Sequence, residues 1–533
     1  MEDHRATAKV RVNGTPAEAT LFCTEPPGAA DGGGGEGAEL RWRCAGGAAA
    51  ERVLSLDADV LGVEVRGKEV VVKAFVAADA AARSVSCAAG AGKGGGRRRR
   101  KSDYVFEMAA GEDAAAAWGD RMRNCLDSLG RPKRLFILVN PFGGKKCGKK
   151  IYEAEIKPLF EAAGVNVTMQ ETQYQGQARE VASSLDLAHY DGIVCVSGDG
   201  VLVEVVNGIL QRTDWEEAIK ISIGVVPAGT GNGMAKSLLH SASETYSVPN
   251  AVFAIIRGHR QSLDVCTIVQ GTNTFFSVLN MTWGLVADID IESEKYRWMG
   301  SARFDFYALV RIMNLRKYHG CIQFVPAPGY EAYGDAVKQV EDCTVECQEQ
   351  NGKSVCSYQG PSIEFQGSEW RSLDGPFVSV WINNVTWAAE SIMAAPGAKF
   401  SDGYMDAVIV RDCPKADLLA LLMKMGDGTH VKSPYVTYLK VRCFRLSPGQ
   451  LVENPKRGGI IDVDGEVIAR GEGTYGKNQN QDAMDYGPSI QMIVHRALAT
   501  PEEMDLSDAA SHLELEAAKQ HSPVPPPLGS AIS

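Results

Sequence analysis

From Arg134 onward, short runs of β-branched residues alternate with amphipathic helical patterns, and this alternation limits the possible folds more than any other feature of the sequence. One helical pattern places Ala178, Val181, Ala182 and Leu185 on a single face. Strands that alternate with such helices are typical of βαβ units and of a parallel sheet covered by helices. We therefore predict an α/β domain at residues 131–262, with strands at 135–139, 165–170, 192–197 and 221–226.

Beyond residue 263 the sequence is dominated by strand-like runs, with two or three helical patterns between them. The predicted strands include residues 274–282, 377–386, 407–411 and 435–446. Strands that are not each followed by a helix favour an antiparallel arrangement. The sequence therefore predicts a mainly antiparallel, β-sandwich-like domain at 263–499, with a polar insertion at about 326–374 and a disordered tail at 500–533.

Residues 1–130 combine strand-like alternation, as at 60–72, with Gly/Ala-rich stretches at 32–35 and 88–96. This combination predicts an accessory β-rich region with flexible loops. The basic run at 97–101 has two interpretations: a patch that binds anionic lipid or a nuclear import factor, or a solvated loop. We expect the solvated loop, because most charge runs have no partner.

The composition argues against several functions. The formal net charge is −11 and the pI is near 5.5, whereas nucleic-acid binders usually carry a basic domain or stripe, so no nucleic-acid partner is expected. The 13 cysteines lack CxxC pairs, and Cys343, Cys347 and Cys356 lack a partner pair at zinc-finger spacing. We expect free thiols in a reducing, cytoplasmic compartment. No apolar run reaches the roughly 18 residues of a spanning helix, so membrane contact is expected to be peripheral.

Glycine-rich turns follow the first, third and fourth predicted strands. Ligands of open α/β sheets bind at the carboxyl ends of the strands, so these turns are expected to meet at one rim. Each turn alone has a plain alternative, namely a solvated basic helix start or an Asp-Gly turn without chemistry. Three together favour a phosphate site, because small residues let backbone amides approach phosphate oxygens. The turns contain Asn140, Gly143, Gly144 and Lys145; Ser197, Gly198, Asp199 and Gly200; and Gly229, Thr230, Gly231 and Asn232.

None of these turns ends in the Gly-Lys-Ser/Thr of a P-loop. In their order, and with Glu204 on the helix after the second turn, they resemble the diacylglycerol-kinase-type catalytic domain of lipid kinases. Residues 283–297 are similar to sphingosine kinases, and 464–466 resemble the nucleotide-contacting turn near the C-terminus of those enzymes. The resemblance covers about residues 131–494. The first turn and the long insertion are most similar to the plant-type long-chain base kinases.

The resemblance also implies roles for individual residues. Phosphoryl transfer depends mainly on positioning and on neutralising charge. Asp199 is the implied general base, Asp290 and Asp288 the implied substrate residues, and ATP with Mg²⁺ the implied cofactors; the Mg²⁺ ligands stay unknown, with Asp464 a weak candidate. The residues implied to surround ATP are Asn140, Gly143, Gly144, Lys145, Thr172, Ser197, Gly198, Gly200, Glu204, Gly229, Thr230, Gly231, Asn232, Arg297, Arg303, Asp464, Gly465 and Glu466.

Local conformation between residues 288 and 303 decides what these side chains can reach. Asp288 and Asp290 point to one face only if they occupy a strand, and the alternative is a solvated acidic cluster at a helix cap. Arg297 and Arg303 are expected on one helix, from which both could contact phosphate oxygens.

The implied function is ATP-dependent phosphorylation of the primary hydroxyl of sphingoid long-chain bases, such as sphingosine, sphinganine or phytosphingosine, to the 1-phosphate. Two alternatives stay open. An enzyme of the same fold could act on diacylglycerol or ceramide, which lack a basic amine, or the chain could be a non-catalytic scaffold that binds lipid or nucleotide. The expected partners are a sphingoid-base lipid and, peripherally, a membrane; the sequence does not indicate an oligomeric state.

Overall fold

The computed structural model describes residues 5–23, 38–44, 51–77, 98–144, 146–270, 273–337, 357–358, 360, 367–471, 484–485 and 490–495. These residues form a seven-stranded sheet, a four-stranded parallel sheet, a thirteen-stranded sheet and a two-stranded hairpin. Lys145, Cys343, Cys347, Cys356, the tail at 500–533 and much of the predicted insertion lie outside the described residues. No helix among the described residues is long and apolar enough to cross a membrane.

The N-terminal sheet is antiparallel and packs against one helix. Val10, Leu40, Val70 and Phe106 of its strands share a core with Trp118 of that helix. The run predicted as one strand at 60–72 is a hairpin of two strands. The strands are β1 (Arg5–Val12), β2 (Thr15–Phe22), β3 (Glu39–Cys44), β4 (Arg52–Ser55), β5 (Val60–Arg66), β6 (Glu69–Ala77) and β7 (Arg99–Met108), in the order β4-β3-β2-β1-β7-β6-β5, and the helices are α1 (Leu56–Asp59) and α2 (Glu112–Asp127).

A disulfide bond joins Cys23, after β2, to Cys125 of α2. The expectation that all thiols are free is therefore wrong for this pair. The two residues are 102 positions apart in sequence, and only the tertiary fold brings their Cα atoms to 6.0 Å. Spacing along the chain carries no signal for such a contact.

The second sheet is parallel, and the predicted α/β fold is confirmed. All four predicted strands are present within one residue of the expected bounds, and apolar clusters cover both faces of the sheet. The strands are β8 (Arg134–Val139), β9 (Asn166–Glu171), β10 (Gly192–Ser197) and β11 (Ser222–Pro227), in the order β11-β10-β8-β9. The helices are α3 (Gly148–Ile151), a π-helical turn (Tyr152–Ile156), α4 (Lys157–Ala162), α5 (Gln177–Ser184), α6 (Asp199–Leu210), α7 (Trp215–Ala218), α8 (Gly233–Ser241) and α9 (Val248–Arg257).

The basic run at 97–101 belongs in part to β7 and not to a loop. The Arg99 side chain is almost fully buried, and it donates to the carbonyl oxygens of Ala58 and Phe75 and pairs with Glu244, which follows α8. The prediction of a solvated loop is therefore wrong for Arg99, whereas its neighbour Arg100 is exposed. Alternation along a strand explains the difference between the two neighbours.

The third sheet is mainly antiparallel, as predicted, and Trp283, Phe324, Phe377 and Phe444 lie in its core. Its strands are β12 (Val265–Gln270), β13 (Asn273–Ser277), β14 (Asn280–Gly284), β15 (Tyr318–Pro326), β16 (Asp335–Ala336), β17 (Arg371–Asp374), β18 (Ser379–Asn383), β21 (Met405–Val410), β22 (Val436–Leu451), β23 (Ile460–Val463), β24 (Glu466–Arg470), β25 (Met484–Asp485) and β26 (Ile490–His495), beside the hairpin β19 (Trp387–Ala389) and β20 (Ile392–Met393). The helices are α10 (Leu285–Glu292), α11 (Ala302–Met313) and α12 (Lys415–Met423).

Two predictions for this part of the chain need correction. The strand expected at 274–282 is two strands, because a turn at Val278 and Leu279 bonds to a carboxylate elsewhere in the chain. Part of the predicted insertion belongs to the sheet, since β16 and β17 pair with each other and β17 pairs with β15.

One apolar cluster joins the parallel sheet to the third sheet. Leu202 of α6 and Met234 of α8 pack with Phe276 and Val278 from β13 and the turn that follows it. The rim that carries the glycine turns therefore faces the third sheet.

Candidate active site

A cavity of about 900 Å³ lies between the rim of the parallel sheet and the third sheet. Ser197, Asn232 and Asp288 do not line it, and Lys145 is not described. The other residues predicted for the site all do: Asn140, Gly143, Gly144, Thr172, Gly198, Asp199, Gly200, Glu204, Gly229, Thr230, Gly231, Asp290, Arg297, Arg303, Asp464, Gly465 and Glu466.

The three glycine turns touch one another through their backbones. A Cβ atom on Gly144, which has a φ of 53°, would lie 2.9 Å from the carbonyl carbon of Gly229, and one on Gly229 would lie 2.3 Å from the Cα of Gly198. Real Cβ atoms do not approach backbone so closely, so glycine is required at these contacts. The contacts place many backbone groups at one end of the cavity.

Two asparagines hold the first and third turns in shape. Asn140 Oδ1 accepts hydrogen bonds from the amides of Phe142 and Gly143 at 2.9 and 3.1 Å. Asn232 Oδ1 accepts from the amide of Gly229 at 3.0 Å, and its Nδ2 donates to the carbonyl of the same residue at 3.1 Å. Asn232 is buried behind the turn, so its geometry favours positioning of the turn over contact with a ligand.

Two further residues predicted around ATP are buried. Ser197 is 1% exposed, and its hydroxyl donates to the Gly198 carbonyl. Thr172 is buried at the end of β9, where its amide donates to the Val139 carbonyl at 2.9 Å, although the residue still lines the cavity.

Asp199 lies in the wall of the cavity, at the first residue of α6. Its carboxylate accepts hydrogen bonds from the amides of Gly233 and Met234, at 2.7 and 3.1 Å, at the start of α8. Burial raises the pKa of Asp199 to about 6, although the two amide bonds oppose the shift. Such a carboxyl is ionised at neutral pH yet is a stronger base than an ordinary aspartate.

Gly233 also contacts the hairpin β19–β20. A Cβ atom on this residue would lie 2.5 Å from the carbonyl oxygen of Trp387 and 2.9 Å from that of Ala388. The residue that donates to Asp199 is therefore in close backbone contact with the far side of the cavity.

The carboxylates of two acidic residues predicted around ATP already accept hydrogen bonds from backbone amides. Glu204 accepts from the amides of Gly176 and Ala178 at 2.9 and 3.1 Å, at the start of α5. Asp464, at φ 53°, accepts from the Ser277 hydroxyl and from three amides between residues 278 and 280, at 2.8 to 3.0 Å. With four donors already on its oxygens, Asp464 does not fit the weak metal-ligand role predicted for it.

Arg297 and Arg303 lie on different elements, contrary to the single helix predicted. Arg297 is in a 3₁₀-helical turn (Ser293–Met299), and Gly300, at φ 63°, separates that turn from α11, which carries Arg303. Both guanidinium groups contact Glu294, at 3.0 and 2.7 Å. The Arg297 side chain is 71% exposed and that of Arg303 is 5% exposed, so only Arg297 is free to move toward a ligand.

Asp288 and Asp290 lie on α10, so the condition under which both would point to one face, a strand, is not met. Two residues along a helix point in nearly opposite directions. Asp290 lines the cavity, and its Oδ1 is 3.6 Å from Nη2 of Arg303. Asp288 is 1% exposed and accepts from the Tyr318 hydroxyl at 2.9 Å and from Arg316 at 3.0 Å. Its carboxylate therefore stabilises the back of α10 and does not reach the cavity.

Sequence reasoning missed Asp462, which lines the cavity from β23 and is 1% exposed. Its Oδ2 accepts from the Thr282 hydroxyl at 3.2 Å, and its Oδ1 has no hydrogen-bond partner among the described residues. Burial, with the nearby charges of Asp290 and Asp464, raises its pKa well above the ordinary value. Its position two residues before Asp464, at the end of a strand that leads into the Asp464-Gly465 turn, was a usable signal.

The far end of the cavity is apolar and supplies space for a hydrocarbon chain. Its side chains come from α10, α11 and α12 and from the face of the third sheet. They include Leu285, Val286, Ile289, Phe304, Ala308, Trp381, Val408, Val410, Leu418, Leu421 and Leu422.

Comparison with known proteins decides the family. Sphingosine kinase 2 of Arabidopsis thaliana is 51% identical over 462 residues, which cover 87% of this chain and 92% of that protein. The chain belongs to the sphingosine kinase family. Sphingosine kinase 1 of the same plant is 51% identical over 84% of this chain and 90% of its own length. Human sphingosine kinase 1 is 33% identical, covering 64% of this chain and 87% of the human protein.

Two domain families match different parts of this sphingosine kinase family member. Residues 134–268 match the diacylglycerol kinase catalytic domain, and residues 356–475 match the YegS C-terminal NAD kinase beta sandwich-like domain. The first match contains all four strands of the parallel sheet, and the second contains Asp462, Asp464 and Glu466. Residues of both matched regions line the cavity, together with residues between 279 and 308 that belong to neither match.

The family implies Mg²⁺ beside ATP, but the described residues do not build a Mg²⁺ site of their own. They contain no group of three or more His, Cys, Asp or Glu side chains suited to a metal ion. The oxygens of Asp464 and Glu204 are already occupied by hydrogen-bond donors. A metal that keeps most of its waters and binds nucleotide phosphates does not require such a group.

Proposed function

We propose that this protein transfers the γ-phosphoryl group of ATP to the primary hydroxyl of a sphingoid long-chain base and forms the 1-phosphate. The observation that carries the proposal is the single cavity that joins glycine turns, Asp199, Asp290 and an apolar end. The named activity of its sphingosine kinase relatives supports the same reaction.

The glycine turns form the nucleotide end of the cavity. The proposed donors to phosphate oxygens are backbone amides of these turns that the asparagines do not bind, and Gly144, Gly198 and Gly229 leave no side chain in the way. Of the two arginines predicted around ATP, Arg297, which is mostly exposed beside the cavity, is better able to reach phosphate. Mg²⁺ enters as the ATP complex in this proposal, and no step depends on a protein-bound metal.

Asp199 is the proposed general base. The amides of Gly233 and Met234 fix its carboxylate, so the lipid hydroxyl meets a positioned acceptor. A pKa of about 6 leaves the carboxylate ionised at pH 7 and suited to take the hydroxyl proton as the oxygen attacks phosphorus.

Asp290 and the apolar end form the proposed lipid half of the site. The carboxylate of Asp290 is about one-third exposed and can pair with the ammonium group of a sphingoid base. Diacylglycerol and ceramide have no basic amine and would leave Asp290 with only its 3.6 Å contact to Arg303. A cationic acceptor is therefore favoured over both neutral acceptors.

The reaction can be tested with purified protein, sphinganine in detergent micelles, ATP and Mg²⁺. We expect sphinganine 1-phosphate, and we expect Asp199→Asn to lower kcat by at least about 100-fold. Asp120→Asn, on the exposed face of α2, is the matched control and keeps wild-type turnover. A folded wild-type protein that phosphorylates diacylglycerol but not sphinganine contradicts the proposal, and an Asp199→Asn variant with normal turnover contradicts the role of Asp199.

The proposal includes peripheral membrane contact through the outer faces of the helices around the apolar end. Leu309 and Met313 of α11 and Met423 of α12 are 50%, 71% and 82% exposed, and Trp298 is 83% exposed. Lys415 Nζ donates to the Met313 carbonyl, so the two helices adjoin. An exposed apolar group of this kind suits the interface of a bilayer.

A vesicle-sedimentation assay tests this surface. Leu309→Asp with Met313→Asp should lower binding to phosphatidylcholine vesicles several-fold, because charged side chains oppose burial in the interface. Val452→Asp introduces a charge at an apolar residue that is 41% exposed and should have no effect. Equal binding of all three proteins would remove this part of the proposal.

A further inference from the structure

We infer that Asp462 is a further residue for recognition of the lipid acceptor: its Oδ1 accepts a hydrogen bond from the secondary hydroxyl next to the amine. The inference rests on the proposed function and adds a second contact to the head group, beside the contact of the ammonium with Asp290. It concerns acceptor preference and not the chemical step.

The hydrogen bonding of Asp462 differs from that of Asp464, two residues further along the chain. Asp464 receives four hydrogen bonds and is saturated. Asp462 receives one, from the Thr282 hydroxyl to Oδ2, and no described group donates to Oδ1. The fold thus satisfies one carboxyl fully and leaves the other with an open acceptor in the cavity wall.

An open acceptor on a carboxyl that is 1% exposed is costly to the folded protein. A residue chosen only for packing in β23 would be apolar, as are its neighbours Ile461 and Val463. A donor brought by a ligand removes the cost, so the carboxyl discriminates between ligands that bring a donor there and ligands that do not.

Asp290 and Asp462 are suited to different groups of the acceptor, Asp290 to the ammonium and Asp462 to the secondary hydroxyl. Asp290 is partly exposed and already close to Arg303, so it can take an ammonium ion that keeps some of its water. Asp462 is enclosed, and a neutral hydroxyl loses less hydration than an ammonium ion on entering such a site. An acceptor with an amine and an adjacent secondary hydroxyl fits both.

The test compares two acceptors that differ only in that hydroxyl: sphinganine and 2-aminooctadecan-1-ol. We expect the wild-type protein to prefer sphinganine in kcat/KM by roughly 10- to 100-fold, the range for one hydrogen bond to a charged or enclosed acceptor. In Asp462→Val the preference should fall below about threefold, mainly through a higher KM for sphinganine, while kcat and the KM for ATP stay near wild type. Asp462→Asn, whose amide oxygen can still accept, should recover part of the preference.

Two variants separate this role from a structural one. Asp290→Ala should weaken both acceptors in parallel and keep their ratio, because both carry the amine. Asp406→Asn changes another fully buried carboxyl of the same sheet, which binds Tyr438 and Lys440 outside the cavity, and should alter stability without altering the ratio.

The outcomes distinguish the inference from the proposed function. Wild-type protein that phosphorylates neither acceptor refutes the proposed function. Wild-type protein that phosphorylates sphinganine, with a folded Asp462→Val variant of unchanged acceptor ratio, refutes only the role of Asp462. A stable Asp462→Val variant that has lost the preference supports it.

Discussion

The guanidinium of Arg99 lies 2.7 Å from the carboxylate of Glu244, and both side chains are largely withdrawn from solvent, at 2% and 7% exposure. Arg99 belongs to the N-terminal sheet, and Glu244 follows α8, the helix whose first amides bind Asp199. The pair therefore links the accessory sheet to the layer that holds the proposed base. The ring of Phe253 lies 5.0 Å from the Arg99 guanidinium and shields the pair further.

Replacing one member of this pair should destabilise the protein. We expect Arg99→Ala to lower the free energy of unfolding by about 3–5 kcal/mol, because it leaves the Glu244 carboxylate buried without its counter-charge. Denaturant unfolding of the full chain measures the effect. Arg100→Ala, one residue along and exposed, is the control and should change stability by less than about 0.5 kcal/mol. Equal stabilities of the two variants would show that the buried pair contributes nothing.

Gly229→Ala should push apart the second and third glycine turns, whose backbones are in contact at this residue. The added Cβ would lie 2.3 Å from the Gly198 Cα and 2.5 Å from its amide nitrogen, so backbone has to move. We expect a loss of stability of about 1–3 kcal/mol and a KM for ATP raised by at least about tenfold. For stability, Gly200→Ala is the matched control, because its Cβ would meet no atom within 4 Å. If both variants unfold at the same denaturant concentration, the turns are less tightly packed than described.

Activity should fall in acid as Asp199 gains a proton. With a pKa raised to about 6, kcat/KM for sphinganine should drop about tenfold per pH unit below that value, and a break near the ordinary value of 3.8 would contradict the assignment. The contribution of Asp199 to folding stability has the opposite dependence on pH. Because the folded-state pKa exceeds the unfolded one, this carboxyl favours folding below about pH 4, and that contribution is lost as the pH rises through about 6.

Asp464→Asn should reduce stability without changing the Mg²⁺ requirement. The amide group replaces one acceptor oxygen by a donor, which faces the amides of residues 278–280. We expect a loss of about 2–4 kcal/mol in the free energy of unfolding. The Mg²⁺ concentration for half-maximal activity should stay within about twofold of wild type. A stable variant that needs much more Mg²⁺ would restore the metal-ligand role.

The parallel sheet and its turns could be predicted because their signals are local. Each strand is a short apolar run, each turn follows its strand directly, and the rule that ligands bind at the carboxyl ends then brings distant turns together. Asn140, Asp199 and Gly229 are separated by many residues in sequence yet line one cavity for this reason. Their roles toward ATP and lipid stay predictions.

The rest depends on pairings between distant parts of the chain. The 274–282 run looks like one strand because the carboxylate that binds its middle comes from Asp464. In the sequence Asp288 looks like a substrate residue, but in the structure its carboxylate accepts hydrogen bonds from Arg316 and Tyr318. Arg99 looks solvated because Glu244 is 145 residues away. Local patterns report propensity and periodicity, and none of these three contacts is local.

The close contact of Gly233 with the β19–β20 hairpin leaves no room for a side chain between α8 and the hairpin. The amide of this glycine also donates to Asp199, so any larger residue here would push against the opposite wall of the cleft at the point where that carboxylate is held. The approach of the two walls and the fixation of Asp199 therefore both depend on the absence of one Cβ atom.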